Sequence, residues 1–424
     1  MRVLVIGGGA REHALVARLA TEPGVDRMVC APGNPGIARQ ASIVSIDLGN
    51  PETASALAER EQIDFTIVGP ELPLSLGIAD RFAAERRLLF GPTARAARLE
   101  SSKAFAKTFM SRHRVPTARF RICETTDAAM DAVASREFGF PVVLKADGLA
   151  AGKGVVIAND RASAEAAIVG AMRDRRFGAA GDRLVVEECL SGPEVSFFAV
   201  SDGTRAVPIG TAQDHKRIFD DDRGPNTGGM GAFAPSPLVD GPLEARIMKE
   251  IVEPVVSGMA AEGYPFRGFL YAGLMLTASG PRVIEFNVRL GDPEAQVVLP
   301  LIDEPLLPVL FAAATGSLAA TRVRIGRDVR VAIVLASRGY PDSSESGQPI
   351  GGIDDAETTG VAVYHAGTAM RDGQLVTAGG RVLTIVARGD DYAEAITRAY
   401  DGAARISFDG MQYRRDIGRK ALKA

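Results

Sequence analysis

Lys145-Ala146-Asp147-Gly148-Leu149-Ala150-Ala151-Gly152-Lys153-Gly154 is a stretch of this 424-residue chain whose residue types and spacing suggest chemistry. Lysines stand near both ends of a glycine-rich run, and strand-like sequence flanks it at Val142–Leu144 and Val155–Ile157. A P-loop is excluded. Only three residues separate Gly148 from Gly152, Gly154 stands where Ser or Thr would hold magnesium, and the loop opens no helix. A glycine-rich flap between two strands can instead fold over a triphosphate. A lysine about 4 Å from a phosphate charge contributes roughly 4 kcal/mol before desolvation, at an effective dielectric near 20. An exposed hairpin is the plain structural alternative.

Three further constellations qualify. In Arg282-Val283-Ile284-Glu285-Phe286-Asn287-Val288-Arg289, a strand period of two puts Val283, Glu285, Asn287 and Arg289 on one face and Ile284, Phe286 and Val288 toward a core. A carboxylate and an amide oxygen about 7 Å apart on one strand face can converge on a hard cation completed by phosphate oxygens. Arg289 then lies where a phosphoryl group would be. The pair Glu187-Glu188, followed by Cys189, Leu190 and Glu194, takes its meaning from its surroundings. Gly7-Gly8-Gly9-Ala10-Arg11-Glu12 begins like a dinucleotide fingerprint, but Glu12 occupies the third glycine position. The second strand ends in Ala31-Pro32-Gly33 without an acid for a ribose hydroxyl, which disfavours a dehydrogenase. A glycine loop at a helix N-terminus still presents N–H groups to an anion.

The elements that must position these residues are legible in outline. Short β-branched runs at Arg2–Ile6, Arg27–Cys30, Ile43–Ile46, Phe65–Val68 and Leu88–Phe90 alternate with helical patterns such as Pro51–Arg60, with Asn50 as N-cap. This alternation predicts a parallel sheet with helices on both faces and ligands at the carboxyl ends of its strands. One helix is expected over 94–113. A β-rich stretch follows at Val142–Leu144, Val155–Ile157, Arg183–Glu188, Val195–Val200 and Arg205–Ile209. A long helix over 242–262 is expected to kink at Pro254, followed by strands Gly268–Leu276 and Arg282–Val288. The last segment, from about 325, reads as strands Val329–Leu335, Val361–His365 and Arg381–Val386 and a helix near Tyr392–Ile406.

Composition bounds the class. With 46% hydrophobic and 24% charged residues and a net charge of −3, the chain fits a multi-domain globular protein with no general attraction to nucleic acid or an anionic membrane. The cysteines at 30, 123 and 189 suggest neither a disulfide framework nor a zinc cluster, so a reducing compartment is expected. The uncharged run Pro305–Thr321 is broken by Pro308 and Gly316 and too short to span a bilayer. The N-terminal apolar run is likewise too short for a signal peptide.

Taken in order, the motifs carry a resemblance. They run from Arg11-Glu12-His13-Ala14, Ala31-Pro32-Gly33-Asn34 and Thr66-Ile67-Val68-Gly69-Pro70-Glu71 through Ser102-Lys103-Ala104-Phe105, the 145–154 flap and Gln213-Asp214-His215-Lys216-Arg217. Gly224-Pro225-Asn226-Thr227-Gly228-Gly229-Met230-Gly231, Glu285-Phe286-Asn287, Gly291-Asp292-Pro293-Glu294, His365-Ala366-Gly367-Thr368 and Gly379-Gly380-Arg381-Val382 complete the set. The whole chain resembles the phosphoribosylamine–glycine ligases (glycinamide ribonucleotide synthetases) of the ATP-grasp superfamily.

The resemblance implies an α/β chain with a Rossmann-like parallel-sheet domain at 1–100, an ATP-grasp domain at 101–324 with a mobile β-rich lid at about 120–192, and a small α/β domain at 325–424. It implies ATP-dependent joining of glycine to 5-phosphoribosylamine through glycyl phosphate, in de novo purine biosynthesis. ATP is then the nucleotide, with Mg²⁺ or Mn²⁺ as metal. The partners are small molecules, with no nucleic acid and no membrane, and the chain is expected to be a cytoplasmic, monofunctional monomer. Lys103, Lys145, Gly148, Gly152, Lys153 and Gly154 would contact phosphates. Glu187, Glu188, Cys189 and Leu190 would form the adenine hinge, and Glu194 would accept from the ribose. Glu285 and Asn287 would hold metal; a further acid common on the preceding strand of the superfamily is missing from Tyr271-Ala272-Gly273-Leu274-Met275. Asp214 would face the glycine ammonium and Arg289 the carboxylate or acyl phosphate, with Lys216 beside them. Gly8, Gly9, Arg11, Glu12, Asn34, Asp292 and Glu294 would surround phosphoribosylamine. His365 reads as structural. Two other functions fit the same residues: another ATP-grasp carboxylate–amine ligase, and a nucleotide-sensing module, which would keep the flap lysines but has no use for a metal pair.

Overall fold

The computed structural model describes residues 1–149, 154–319 and 322–423. Its first sheet is parallel, in the order β3 (Ser42–Ile43), β2 (Arg27–Pro32), β1 (Arg2–Gly7), β4 (Phe65–Val68), β5 (Leu89–Phe90). The strand order reverses at β1, so the crevice between the carboxyl ends of β1 and β4 is the topological switch point. Gly7-Gly8-Gly9 leaves one strand there and Gly69-Pro70-Glu71 the other. The helix Pro51–Arg60 forms with Asn50 as its cap. The expected strand over 43–46 shrinks to two residues.

A four-stranded antiparallel sheet, β6 (Phe120–Cys123), β9 (Leu184–Glu188), β7 (Val142–Ala146) and β8 (Val155–Ala158) in that order, carries the flap between β7 and β8. The helices Thr126–Ala134 and Arg161–Ile168 close a separate small core against it. The chain then enters an eight-stranded sheet. Its order is β16 (Gly280–Asn287), β15 (Arg267–Thr277), β10 (Glu194–Asp202), β11 (Ala206–Asp214), β14 (Gly231–Ala234), β17 (Val329–Ala336), β21 (Arg381–Gly389), β18 (Ala362–His365). The C-terminal strands have their own core but extend this central sheet, because β17 pairs with β14 from Gly231↔Ile333 to Ala234↔Arg330. Two short hairpins lie outside it: β12 (Arg217–Phe219) with β13 (Arg223–Asn226), and β19 (Thr368–Arg371) with β20 (Gln374–Thr377). Among the described residues no helix is long and apolar enough to cross a membrane.

Three local expectations need correction. The helix expected over 94–113 is two, Ala94–Ser101 and Lys103–Arg112. Ser102 is extended (φ −139°, ψ 108°) and its Oγ accepts the Phe105 N–H, while Asp147, 45 residues on, accepts from Ser102 Oγ at 2.9 Å and the Ala104 N–H at 3.0 Å. The break therefore belongs to a tertiary cap, and it puts Lys103 in the first turn of a new helix. The kink expected at Pro254 is spread over a π-turn at Met248–Val252, between the helices Gly241–Ile247 and Glu253–Ala261. A proline lacks the N–H that an α-turn needs and crowds the preceding turn, and a wider turn relieves both.

The third correction concerns β16. A bulge, with Gly273 opposite Glu285 and Leu274 opposite Val283, leaves Ile284 out of register. Val283 therefore joins Phe286 and Val288 in the core, and Ile284 does not. The strict alternation expected across 282–289 fails at this bulge.

Candidate active site

The bulge has a chemical use. A bulged residue frees a ladder carbonyl, and the Ile284 carbonyl accepts a hydrogen bond from Lys145 Nζ at 2.9 Å. Lys145 also lies 3.0 Å from Glu187 Oε2, which is 2.9 Å from Lys107 Nζ. All three side chains are buried. Lys107 donates in addition to Thr117 Oγ1 at 2.8 Å, and burial pushes its pKa down to about 8 although Glu187 opposes the shift. Each lysine has three donors, so one N–H on Lys145 has no acceptor among the described residues. Glu187 Oε1 is buried and has no partner among the described residues. Lys103, at its helix N-terminus, lies 3.9 Å from Glu285 Oε2.

The rest of the expected nucleotide set is spread around this cluster. Glu188, at the end of the inner strand β9, directs its carboxylate to the Arg119 backbone N–H (2.9 Å) and Arg119 Nε (2.7 Å). Cys189 and Leu190 follow the end of β9, and the Cys189 thiol is half-buried, with burial raising its pKa. Gly148 packs so tightly on the 178–182 turn that a Cβ would lie 2.6 Å from Ala180 Cβ. The Gly154 carbonyl accepts the Ala146 N–H at 2.8 Å and closes the flap's base. Gly152 and Lys153 lie outside the described residues. Glu194 turns to Lys216, 2.8 Å away.

Glu285 and Asn287 stand two apart at the carboxyl end of β16, facing Gly273 and Tyr271 of β15. Burial raises the Glu285 pKa, but Lys103, Lys216, Lys145 and Arg289 together outweigh it and hold the carboxylate below its ordinary range. An ionised carboxylate beside an amide oxygen suits a divalent cation that takes its other ligands from phosphates and water. Among the described residues no cluster of three or more His, Cys, Asp or Glu side chains could hold a metal unaided. β15 places Gly273 and Tyr271, neither of them an acid, opposite the pair.

Next to this pair, Asp214 ends β11. Burial, with Glu294 and Glu194 close by, pushes its carboxyl up to about 7 against the pull of Lys216. Lys216 is held protonated by Asp214 and Glu194, which outweigh its burial. Glu294 is buried, and its Oε1 accepts from Tyr271 OH at 3.0 Å and Ser196 Oγ at 3.2 Å. Arg289 is gripped by Glu71 (Nε to Oε2, 3.1 Å) and Glu100 (NH2 to Oε1, 2.8 Å), and donates to the Leu290 carbonyl at 3.1 Å. Three of the five guanidinium N–H groups are thereby fixed, leaving two for an anion.

At the switch point, Glu12 is a buried clamp. Its Oε2 accepts the Gly9 N–H at 2.7 Å and its Oε1 the Arg11 Nε–H at 2.6 Å. A Cβ at Gly69 would lie 2.1 Å from Glu12 Oε1, so the third fingerprint position is acidic because two glycines make room for it. Arg11 also donates to the Leu290 carbonyl at 3.2 Å, which brings it beside Arg289. Gly8 lies against the Gly33 carbonyl, 2.6 Å from where a Cβ would be. Asn34 spends its amide between strands: Nδ2 donates to the Gly8 carbonyl (2.9 Å) and the His365 carbonyl (2.8 Å), and Oδ1 accepts the Ile37 N–H. His365 donates its backbone N–H to His13 Nδ1 at 2.8 Å. Asp292 accepts from Gln296 Nε2 at 2.7 Å, and Arg381 NH1 donates to the carbonyls of both Asp292 (2.6 Å) and Gly228 (2.7 Å).

Ion pairs and hydrogen bonds thus link Lys103, Lys145, Glu187 and Glu285 at β16, and Gly9, Arg11, Glu12 and Arg289 at the switch point, while Gly148 and Gly154 make their contacts at the flap's base and Glu188 with Arg119. Lys107, Glu71, Glu100, Tyr271, Ser196 and Arg381 join them without having been singled out as site residues. The signals in the sequence were the four-residue step from Lys103 to Lys107 and the places of Glu71 and Arg381 within the motifs that end Gly69-Pro70-Glu71 and begin Gly379-Gly380-Arg381.

Comparison with known proteins places the chain in a family. The phosphoribosylglycinamide synthetase family models match in three consecutive parts: the N domain over residues 1–100, the ATP-grasp (A) domain over 101–295 and the C domain over 330–420. The phosphoribosylamine–glycine ligase of Agrobacterium fabrum is 47% identical over 422 residues, covering 100% of this chain and 99% of its own. That of Xanthomonas campestris pv. campestris is 48% identical over 426 residues, covering 100% and 98%. The crystal structure of the Thermotoga maritima phosphoribosylamine–glycine ligase superposes with a TM-score of 0.85 at 35% identity, over 98% of this chain and 100% of that one. A biotin carboxylase from Campylobacter jejuni shares the fold, with a TM-score of 0.74 at 16% identity over 100% of this chain and 95% of that one. The chain belongs to the phosphoribosylglycinamide synthetase family.

Proposed function

We propose that the chain is an ATP-dependent phosphoribosylamine–glycine ligase of purine biosynthesis that releases ADP and phosphate, and that the region between the switch point and β16 is its active site. The observation that carries the site assignment is the convergence of Lys103, Lys145, Glu285, Asn287, Asp214 and Arg289 on one crevice. Two lysines face the phosphates, a carboxylate–amide pair the metal, and an acid and an arginine the two ends of a small zwitterion.

The chemistry follows from the weakness of a carboxylate as an acyl donor. A glycine carboxylate oxygen attacks the γ-phosphorus of ATP; the bond from that phosphorus to the bridging oxygen breaks, giving glycyl phosphate and ADP. The amine nitrogen of phosphoribosylamine then forms a bond to the acyl carbon, the carbon–oxygen bond to phosphate breaks, and the nitrogen gives up a proton. No side-chain nucleophile is needed; catalysis is positioning and charge stabilisation. Lys103 and the free donor of Lys145 bind phosphate oxygens. Asp214, ionised above about pH 7, holds the glycine ammonium. Arg289, pre-set by Glu71 and Glu100, aims its remaining N–H groups at the carboxylate that becomes the acyl phosphate. Glu285 and Asn287 would hold the divalent cation, Mg²⁺ or Mn²⁺, which neutralises phosphate charge. Arg11 and the N–H groups of the glycine loop receive the phosphoribosyl end. Glu12, Asn34 and Glu294 shape this pocket from beneath, since their polar atoms are spent on the protein.

ADP release measured with ATP, Mg²⁺ and glycine, with and without freshly made phosphoribosylamine, tests the reading. Release that depends on both co-substrates is expected. A rate unchanged by the amine assigns the site to another ligase, and ATP binding without turnover under every condition assigns it to a sensor.

A further inference from the structure

Three consecutive aspartates, Asp220, Asp221 and Asp222, form the tip of the β12–β13 hairpin, and none has a place in the chemistry above. The hairpin begins directly after Lys216 and returns at Thr227, whose N–H and Oγ1 both donate to the Lys216 carbonyl, at 2.7 and 2.8 Å. Gly228 and Gly229 follow, and these reach the Asp292 loop through Arg381. Asp221 (φ 59°) and Asp222 (φ 52°) are both left-handed, a conformation that aspartate tolerates better than most residues and that is uncommon for two in succession.

The surroundings here are the C-terminal tail. Arg414 has no exposed side-chain surface. Its Nε and NH2 bind both oxygens of Asp416 (2.7 and 2.6 Å), while NH1 donates to Asp222 Oδ1 (2.9 Å) and the Arg217 carbonyl (3.1 Å). Asp416 Oδ2 also accepts the Asp221 N–H at 3.0 Å. Asp220 accepts the Arg415 N–H at 2.8 Å, and Lys420 reaches Asp222 Oδ2 at 2.7 Å. Each aspartate of the run is thus tied to the tail. Tyr400 anchors the tail in turn, donating to the Arg414 carbonyl and accepting the Ile417 N–H.

We propose that Arg414 is a positioning residue for the ligase reaction: through Asp222 and Asp416 it clasps the 217–227 hairpin and thereby fixes Asp214 and Lys216 for glycine. The proposal rests on the reading of Asp214 and Lys216 as the glycine end of the site. Arginine suits the task because its planar fork grips both oxygens of Asp416 while NH1 reaches Asp222, a bidentate geometry that a lysine's single ammonium does not reproduce.

Asp222→Asn and Arg414→Lys test it in the full-length enzyme. Asp222 is exposed at the tip, so its variant is expected to fold even where one at the buried Arg414 does not. Both variants should raise KM for glycine at least fivefold with KM for ATP within twofold of the parent, and the double variant should be no worse than the single ones. In hydrogen exchange, the Asp221 and Thr227 amides of Asp222→Asn should exchange at least tenfold faster, with the β1–β5 amides unchanged. Unchanged glycine KM and exchange overturn the proposal, and so does an equal rise in the KM of ATP and glycine, which marks a merely structural tail. The parent enzyme, run alongside, separates the two readings. If it releases no ADP in response to phosphoribosylamine, the ligase reading fails and the positioning role falls with it; the exchange rates then report only the clasp.

Discussion

Lys107 and Lys145 are bridged by a single carboxylate oxygen, Glu187 Oε2, at 2.9 and 3.0 Å. Two cations sharing one buried anion leave net positive charge under the flap, and Lys107 does not contact the crevice directly in this arrangement. Its consequence is indirect. Lys107→Met would leave Glu187 with Lys145 alone and draw that lysine away from phosphate. Because Glu187 keeps Lys145, the loss is that of one charge-assisted hydrogen bond, on the order of 2 kcal/mol. Thermal denaturation should therefore show a lowered Tm, and titration should show weaker ATP binding. A variant as stable as the parent, with unchanged ATP affinity, would show that the triad positions nothing.

The pH dependence of glycine use follows from Asp214. Its carboxyl is raised to about 7, so the ionised form that binds an ammonium predominates only above that value. KM for glycine should fall as pH rises from 6 to 7, approaching tenfold per unit at the acid end, and level off above 7. Asp214→Asn should abolish the slope and raise KM at every pH. A parent profile flat between pH 6 and 8 would remove Asp214 from the glycine end.

Much of this was readable before any coordinates. The parallel sheet followed from alternation, and a carboxylate and an amide two residues apart on a strand singled out Glu285 and Asn287 as candidates. What escaped the sequence has one physical cause: it is set by partners distant in the chain. Asp147 breaks a helix 45 residues away, a bulge at Ile284 supplies the carbonyl for Lys145, and Glu100 reaches Arg289 across 189 positions. The sequence alone does not reveal that Gly7 and Gly69 make space for Glu12 beneath the loop, where its carboxylate accepts from Gly9 and Arg11.

Arg289 is held by Glu71 and Glu100 in one orientation. Arg289→Lys keeps the charge and loses that grip. We expect kcat/KM to fall about 100-fold, roughly 2.7 kcal/mol at 1.36 kcal/mol per decade, with ATP affinity preserved. An effect below threefold would place Arg289 outside the reaction.

His13 and His365 join the N-terminal and C-terminal parts. Burial lowers their pKa values to about 3 and about 4, so both are neutral in the folded state, while the unfolded chain protonates them near 6.5. Their contribution to stability is complete above pH 6.5 and is lost as pH falls from there toward 4. His13→Asn keeps an acceptor for the His365 N–H without the titration. Its Tm should fall less steeply than the parent's between pH 6.5 and 5, and identical slopes would exclude His13 as a source of the acid sensitivity.

The central claim is that the glycine carboxylate is phosphorylated in this crevice. Glycine labelled with ¹⁸O in both carboxylate oxygens, turned over with ATP and phosphoribosylamine, tests it by mass spectrometry of the released phosphate. One ¹⁸O per phosphate is expected, because the carboxylate oxygen that attacks the γ-phosphorus leaves with it when the amide forms. Unlabelled phosphate, with one label retained in the amide product and the other lost to water, would contradict the account.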